Sequence, residues 1–558
     1  MKKLIFIVTL FVTAGVLYSC SDLSETVRDT ALQQDALDHP EAAERTLAPA
    51  YQLMTEPLMR HNWLNNLQGV SSIEQIVPFR GGTDWFDGGR FIEMHQHAWT
   101  PLHITIIDVW RNFTQAIGRA SIAQKTIREN GGDQQLDAEA RALKALYNWW
   151  LLDLYNVAFD KQPEDAGTPT LSTVYRGAEA VDYVYNELDE VQSQLTRRAS
   201  DDETRFNQDA VKALKVRLLL NKAVYSDRYA GEFSHNAEDL NAVIDYATEL
   251  INDGYFQLES EDYFDLFGLE NEGNPEVIFS LDQHPETGGI RRMGYFHSSR
   301  DRHGHLENPS KTGSDGGALT QNFFDLWEGE RDDPRYHQQN LPDGGTIKDE
   351  DFEWNRGVEV GQQYGIVRDF EGAGLWKRDE NGDLIIEALI DHSRSGDMMN
   401  YSREVGVASD RGHVAGPRSL KWSIDHVNPN GSAVNFPVLR LGEMYLSRAE
   451  AHARLGDWNA ALSDINELRD MRGARLLDAS ELQTMQDLER EWIFEMWMEH
   501  MTRTIQIRFG SFNGGDFHDV GWRDKEPSDA TRRVFPIPQD AIDAAQGEPG
   551  YLEQNPGY

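Results

Sequence analysis

Residues 80–90 read Arg-Gly-Gly-Thr-Asp-Trp-Phe-Asp-Gly-Gly-Arg. Adjacent rings at Trp85 and Phe86 are flanked by Asp84 and Asp87 and bracketed by Arg80 and Arg90. Flat rings offer a surface on which the C–H face of a cyclic ligand such as a sugar can lie. Carboxylates and guanidinium groups can hydrogen-bond the hydroxyls at its rim. The glycines let a loop backbone approach whatever lies there. That chemistry is binding, and Trp85 is its expected centre. Replacing Trp85 by Ala should weaken such binding by about 1–3 kcal/mol, the cost of truncating a central aromatic contact, and leave the fold intact.

Bond-breaking chemistry has no comparable signal. The 93 Asp and Glu residues supply carboxylate pairs somewhere, yet nothing marks a buried acid beside a second carboxylate, as glycoside hydrolysis requires. No nucleophile elbow, phosphate-binding loop or zinc-binding helix occurs. His95-x-His97 and His303-x-His305 have ligand-like spacing but no third ligand near them, so metal binding is left unknown. Asp379-x-Asn381-x-Asp383 fails as a calcium loop, because Leu384 and Ile390 stand where such a loop needs Gly and Glu. Asn381-Gly382 there reads as a hairpin turn. Trp149, Trp150, Trp458 and Trp492 lie in helical patterns and are expected in the core.

The elements that must position these residues centre on residues 436–474. Leu441, Tyr445, Ala449 and His452 recur at helical spacing, Gly456 suits a helix end, and Asp457 can cap the next helix. Trp458, Ala461, Leu462, Ile465 and Leu468 form a second stripe. Small residues at Ala449 and Ala461 around a Gly-Asp-aromatic turn resemble a tetratricopeptide (TPR) helix pair. Gln208–Tyr225 with Asp239–Ile251 gives a second pair, and stacked pairs bury each other's apolar faces. Helical patterns also run from Thr30 to Met54, Ile104 to Arg128, Asp137 to Tyr155 and Val181 to Leu195. Ser480-x-x-Gln483 reads as a capping box opening a helix that continues to about Ile507. Between Arg60 and Thr100, and again from Glu259 to about Asn435, the pattern is loop-rich.

The chain begins with Lys2 and Lys3, an apolar run Leu4–Leu17 and then Ser19-Cys20, which reads as an export signal ending at an acylated cysteine. Cys20 is the only cysteine, so lipidation would leave no thiol for a disulfide. The 53 Lys and Arg against 93 Asp and Glu leave a formal net charge of −40. Nucleic acid is excluded as a partner by that sign, and neutral ligands are favoured over polyanions.

Arg440-x-x-Glu443-x-Tyr445-Leu446-x-x-Ala449-Glu450-Ala451, followed by Leu455-Gly456-Asp457, resembles the core motif of the SusD/RagB family of nutrient-binding surface lipoproteins. Asp333-Pro334-Arg335, Glu495, Glu499, Arg503, Arg508-Phe509-Gly510, and the ending Phe535-Pro536-Ile537-Pro538 to Asn555-Pro556-Gly557-Tyr558 carry the likeness along the chain. Where the family usually has Gly and Asp in the late helix, this chain has His500 and Ile505.

The resemblance implies a mostly α-helical, SusD-like scaffold of TPR-like pairs, including residues 208–254 and 437–472, with a loop-rich ligand-face insert at about 259–435. Residues 1–19 would be the signal peptide, 20–29 a lipidated tether from Cys20, and 30–558 one structural unit. It adds Trp99, Tyr295 and Trp354 to the candidate ligand contacts. It also implies capture of a polysaccharide or oligosaccharide at the outer face of the outer membrane and its delivery, without catalysis, to a SusC-like TonB-dependent transporter. No cofactor is expected, with structural calcium left open. A carbohydrate-active hydrolase, or a binder of peptide or another nutrient, is the alternative.

Overall fold

The computed structural model describes residues 42–558 except 83, 200–201, 284–292, 300–302, 307, 312, 370–371, 373–374, 392–395, 409–411, 426–433, 515, 518–519 and 522–524. The signal segment, Cys20 and the start of the pattern at Thr30 lie outside the described residues.

The protein is mostly helical. Its principal helices are α1 (Ala42–Gln52), α2 (Arg90–His95), α3 (Ile104–Glu129), α4 (Gln134–Tyr155), α5 (Gly177–Gln192), α6 (Gln208–Leu220), α7 (Ala237–Asn252), α8 (Met293–His297), α9 (Leu441–Arg454), α10 (Trp458–Met471), α11 (Met485–Met496) and α12 (Thr502–Phe509). Several starts carry the cap their sequence offers. Asp133, Asn207 and Asp457 each accept from a backbone N–H in the first turn, at 3.0, 2.8 and 3.0 Å, satisfying donors that the helix itself cannot. Gly456 sits at φ +89°, where the chain turns from α9 into α10.

The long helices pack in a chain-ordered stack: α1 on α3, α3 on α4, α4 on α5, α5 on α6, α6 on α7, α7 on α9 and α9 on α10. The α6–α7 and α9–α10 pairs therefore lie side by side. Ala449 and Ala461, both fully buried, let the backbones of α9 and α10 approach. Trp149, Trp150 and Trp492 are buried in the same continuous core, and Trp458 packs against it half-buried.

The insert leaves and rejoins this scaffold through two buried antiparallel strands, Val277–Leu281 and Phe436–Arg440, with Phe436 opposite Leu281 and Arg440 opposite Val277. Between them, Tyr364–Ile366, Leu384–Ala388 and Gly345–Ile347 form a small sheet over a separate apolar cluster of Leu341, Ile366, Trp376, Leu384 and Ile386. The Asn381-Gly382 turn leads into this sheet. Asp379 accepts from the backbone N–H groups of Asn381 and Asp383, both at 2.9 Å, so its carboxylate is spent on closing the turn.

Two expectations for the late helix are corrected. The capping box is Thr484 with Asp487, not Ser480 with Gln483. The helix also does not run to Ile507 unbroken: it stops at Met496 and resumes at Thr502, with Met498 and His500 both at φ +60°. The reason is tertiary. Lys421 donates to the Glu495 and Trp497 carbonyls at 3.2 and 2.6 Å, and Glu74 accepts from Met498 N–H at 2.8 Å. Side chains from elsewhere thus take up backbone groups that a continuous helix would have paired internally.

The same region holds a buried charge network. Arg440 bonds Glu276 at 2.9 Å, Glu495 at 2.7 Å and Glu499 at 2.8 Å. Arg472 joins Glu276 and Glu495, while Arg335 joins Asp333, Glu491 and Glu495. Glu443 pairs with Arg217 and Glu450 with Arg508. Arg440, Glu443 and Glu450 of the Arg440–Asp457 motif therefore serve the interior of the scaffold.

Candidate functional site

Trp85 sits at φ +59° and Asp87 at φ +44°, a left-handed conformation uncommon for such residues. Tertiary contacts hold it. The Trp85 indole N–H donates to the Ser314 carbonyl at 3.1 Å. The ring stands edge-on to Phe296 and His61, with centroids 5.2 and 5.6 Å away. Gly316 is what makes room, since a Cβ there would come within 2.3 Å of the Phe296 ring and 2.7 Å of Trp85. Trp85 is consequently half-buried, whereas Phe86 is 47% exposed and meets Phe79 edge-on at 5.7 Å. Asp84 lies 3.4 Å from His413, and Asp87 is exposed.

The other predicted positions divide sharply. Arg80 is buried and donates to the Gly412, Ala415 and Gly316 carbonyls at 2.8, 3.2 and 3.2 Å. Burial and the nearby Arg418 charge push its guanidinium well below its ordinary pKa. It braces the loop and offers nothing to a ligand. Trp99 is 1% exposed, its indole N–H donating to the Tyr558 hydroxyl at 2.7 Å while Phe535 packs 4.8 Å away. It is a core residue that anchors the chain's last tyrosine. Arg90 is half-buried at the start of α2, where its carbonyl accepts from His103 at 2.9 Å. Tyr295 is half-buried on α8, beside the Phe296 that supports Trp85.

Trp354 belongs to a different feature, an open cavity of about 790 Å³. Its apolar wall includes Trp354, Phe352, Leu306 and Leu269, with Trp354 and Phe352 meeting edge-on at 5.4 Å and Leu269 41% exposed. Glu259, Asp265, Glu270, Glu272, Asp349 and Glu353 line the remainder. Arg356 also lines it, but donates to the carbonyls of Leu420 at 3.1 Å, Lys421 at 2.7 Å and Phe264 at 3.2 Å. Burial pushes Arg356 down to about 10. Burial, then the charges of Asp262 and Glu259, push the Asp265 carboxyl up to about 6.

Helix α8 links the two features. Its Phe296 supports Trp85, its Gly294 packs against the backbone of Trp422 and Ser423, and Ser298 just beyond it lines the cavity. The cavity residues Phe352, Leu269, Leu306, Asp265 and Arg356 were not foreseen. Asp351-Phe352-Glu353-Trp354, with rings at alternate positions, was the available signal, because strand-like spacing puts alternate side chains on one side.

The His95–His97 pair gives no metal centre. Burial, together with the Lys525 charge, pushes His95 down to about 3. His97 is committed to the Ser71 carbonyl and the Ser528 hydroxyl, each at 2.7 Å. The side chains of His303 and His305 lie outside the description. Among the described residues no three His, Cys, Asp or Glu side chains converge on a point that could hold a metal ion.

The sequence profile of the SusD family matches residues 275–558, just over half the chain. The chain belongs to the SusD family. This SusD-family protein is 26% identical over 393 residues to the starch-binding protein SusD of Bacteroides thetaiotaomicron, an alignment covering 67% of this chain and 64% of that protein. Its fold is similar to that of surface glycan-binding protein A from Bacteroides fluxus, with a TM-score of 0.63, 17% identity, and coverage of 93% of this chain and 100% of that one. It is also similar to surface glycan-binding protein A from Bacteroides thetaiotaomicron solved with laminarihexaose, with a TM-score of 0.61, 16% identity, and coverage of 92% and 99%.

Proposed function

We propose that this SusD-family protein captures a polysaccharide or oligosaccharide at the cell surface and passes it, chemically unchanged, to a partner TonB-dependent outer-membrane transporter. The observation that carries the reading is the cavity lined by Trp354 and Phe352 together with six carboxylates. Aromatic walls take the C–H faces of pyranose rings, and carboxylates accept from the hydroxyls around them. Phe86 and Trp85 supply a second ring platform, joined to the first by α8. Starch binding by one relative named above and the laminarihexaose complex of another agree with it. Anchoring through a lipidated Cys20 would hold the cavity outside the outer membrane. Among the described residues no helix is long and apolar enough to cross a membrane.

The test is native affinity electrophoresis of the chain starting at Ser21, in gels cast with neutral or anionic polysaccharides. Retardation by one glycan, lost in Trp354→Ala, is the expected outcome. Equal migration in every gel would move the reading to peptides or another nutrient.

A second reading, hydrolysis, is favoured by Asp265, since a carboxyl at about 6 beside other carboxylates is what a general acid needs. Incubation of the retarding glycan with the protein decides between the two. Release of reducing ends that Asp265→Asn abolishes would establish catalysis.

A further inference from the structure

The cavity's electrostatics narrow the class of glycan, an inference that rests on the binding reading above. The carboxylates of Asp265, Glu270, Glu272 and Glu353 line the cavity without an ion pair among the described residues. The other two are committed elsewhere: Asp349 to Arg378 at 2.6 Å and Glu259 to the Asn274 amide at 2.8 Å. Among the described residues the one lining cation is Arg356, which is buried, directs Nε and one terminal nitrogen at backbone carbonyls, and is outnumbered by the six lining carboxylates. The aromatic wall is independent of these charges, and it too favours a cation, because the face of an indole ring is electronegative.

We propose that this cavity selects oligosaccharides of amino sugars carrying free, protonated amines, and turns away those bearing uronate or sulfate groups. Each ammonium offsets the excess negative charge of the carboxylates that line the cavity, whereas an anionic sugar adds to it. The lining carboxylates come from separate stretches of the chain, Glu259, Asp265, Glu270 with Glu272, and Asp349 with Glu353, and no three of the described acidic or histidine side chains form a metal-holding group. Such a distributed field suits charges repeated along a chain more than a single divalent ion. The Trp354 and Phe352 rings, in turn, suit sugar rings more than an extended peptide. Raising the salt should weaken the preference, because the exposed carboxylates are screened.

The experiment is calorimetric titration of the chain starting at Ser21, at about pH 6, between the usual pKa ranges of carboxyl and amino groups. The probes are a glucosamine oligosaccharide, its N-acetylated counterpart of equal length, an oligogalacturonate and an oligolysine. The glucosamine oligomer is expected to bind about tenfold or more tighter than the N-acetylated one, with no binding of the oligogalacturonate. In the triple variant Glu270→Gln, Glu272→Gln, Glu353→Gln that gap should close to within about threefold. It should persist in Glu129→Gln, Glu238→Gln, Glu548→Gln, which removes as much charge from exposed positions outside the cavity.

Equal affinity for the amine and acetamide forms would overturn the proposal, as would a gap that survives the cavity triple or closes in the control triple. Oligolysine binding as tightly as the glucosamine oligomer would overturn it in favour of a cationic peptide. The two readings fail differently. If the N-acetylated oligomer binds and Trp354→Ala abolishes it while the amine adds nothing, only the charge selection falls. If no sugar binds, neutral or charged, the glycan reading falls with it.

Discussion

At the scale of single residues, neighbouring rings have unequal roles. Trp85 spends one edge on Phe296 and His61 and its N–H on Ser314, so its truncation removes packing as well as any ligand contact. Trp85→Ala should therefore lower stability by about 2–4 kcal/mol, the scale for emptying a large aromatic site, contrary to the expectation of an intact fold. Phe86, 47% exposed, is the cleaner probe. Phe86→Ala should weaken glycan binding by about 1–3 kcal/mol with an unchanged denaturant midpoint, and full affinity in the variant would remove the loop from the site. From sequence, Arg80 and Trp99 stood beside Trp85 as candidates because residue type does not report burial. Arg80 sits amid carbonyl groups that need donors, and Trp99 beneath the C-terminal Tyr558. Both environments are assembled from segments hundreds of positions apart.

At the scale of elements, α11 carries a buried carboxyl that couples helix packing to pH. Glu489 is 3% exposed, accepts from the Ser511 hydroxyl just past α12, and is pushed by burial up to about 8 from an ordinary 4.5. A raised carboxyl favours the folded state while it stays protonated. Its contribution is full below about 4.5 and is lost as pH rises to about 8. Glu489→Gln keeps an oxygen for Ser511 and removes the titration. Relative to the parent, the variant should gain stability steadily between pH 5 and 8, reaching about 3 kcal/mol at pH 7 by urea denaturation. A constant difference across that range would mean the carboxyl is ionised in the fold. The α9–α10 turn, by contrast, was readable residue by residue. Gly456 and Asp457 act through local backbone geometry that needs no distant partner, whereas the break between α11 and α12 depends on Lys421 and Glu74, invisible from the helix's own sequence.

At the scale of the whole molecule, a helical stack holds an insert by two adjacent buried strands, and α8 within that insert packs on Trp85 through Phe296 and on the cavity-lining Trp422–Ser423 backbone through Gly294. The proposed surface location makes its own prediction. Cys20→Ala should move the protein from the membrane fraction to the soluble fraction in cells, and persistent membrane association would remove the lipid anchor. Helical periodicity, local caps, the Arg440–Asp457 motif and the characteristic ending determined the fold class and the family from sequence alone. They could do so because each is written in neighbouring residues or in the repeat of an apolar stripe, and burial of such stripes permits few arrangements. The cavity was decided only by the tertiary structure. Its walls come from Glu259–Pro275, Ser298, Leu306, Asp349–Arg356 and Leu420–Ile424, segments brought together by the insert's return to the scaffold. Their charges and rings acquire a common function through that convergence, and nothing in their spacing along the chain announces it.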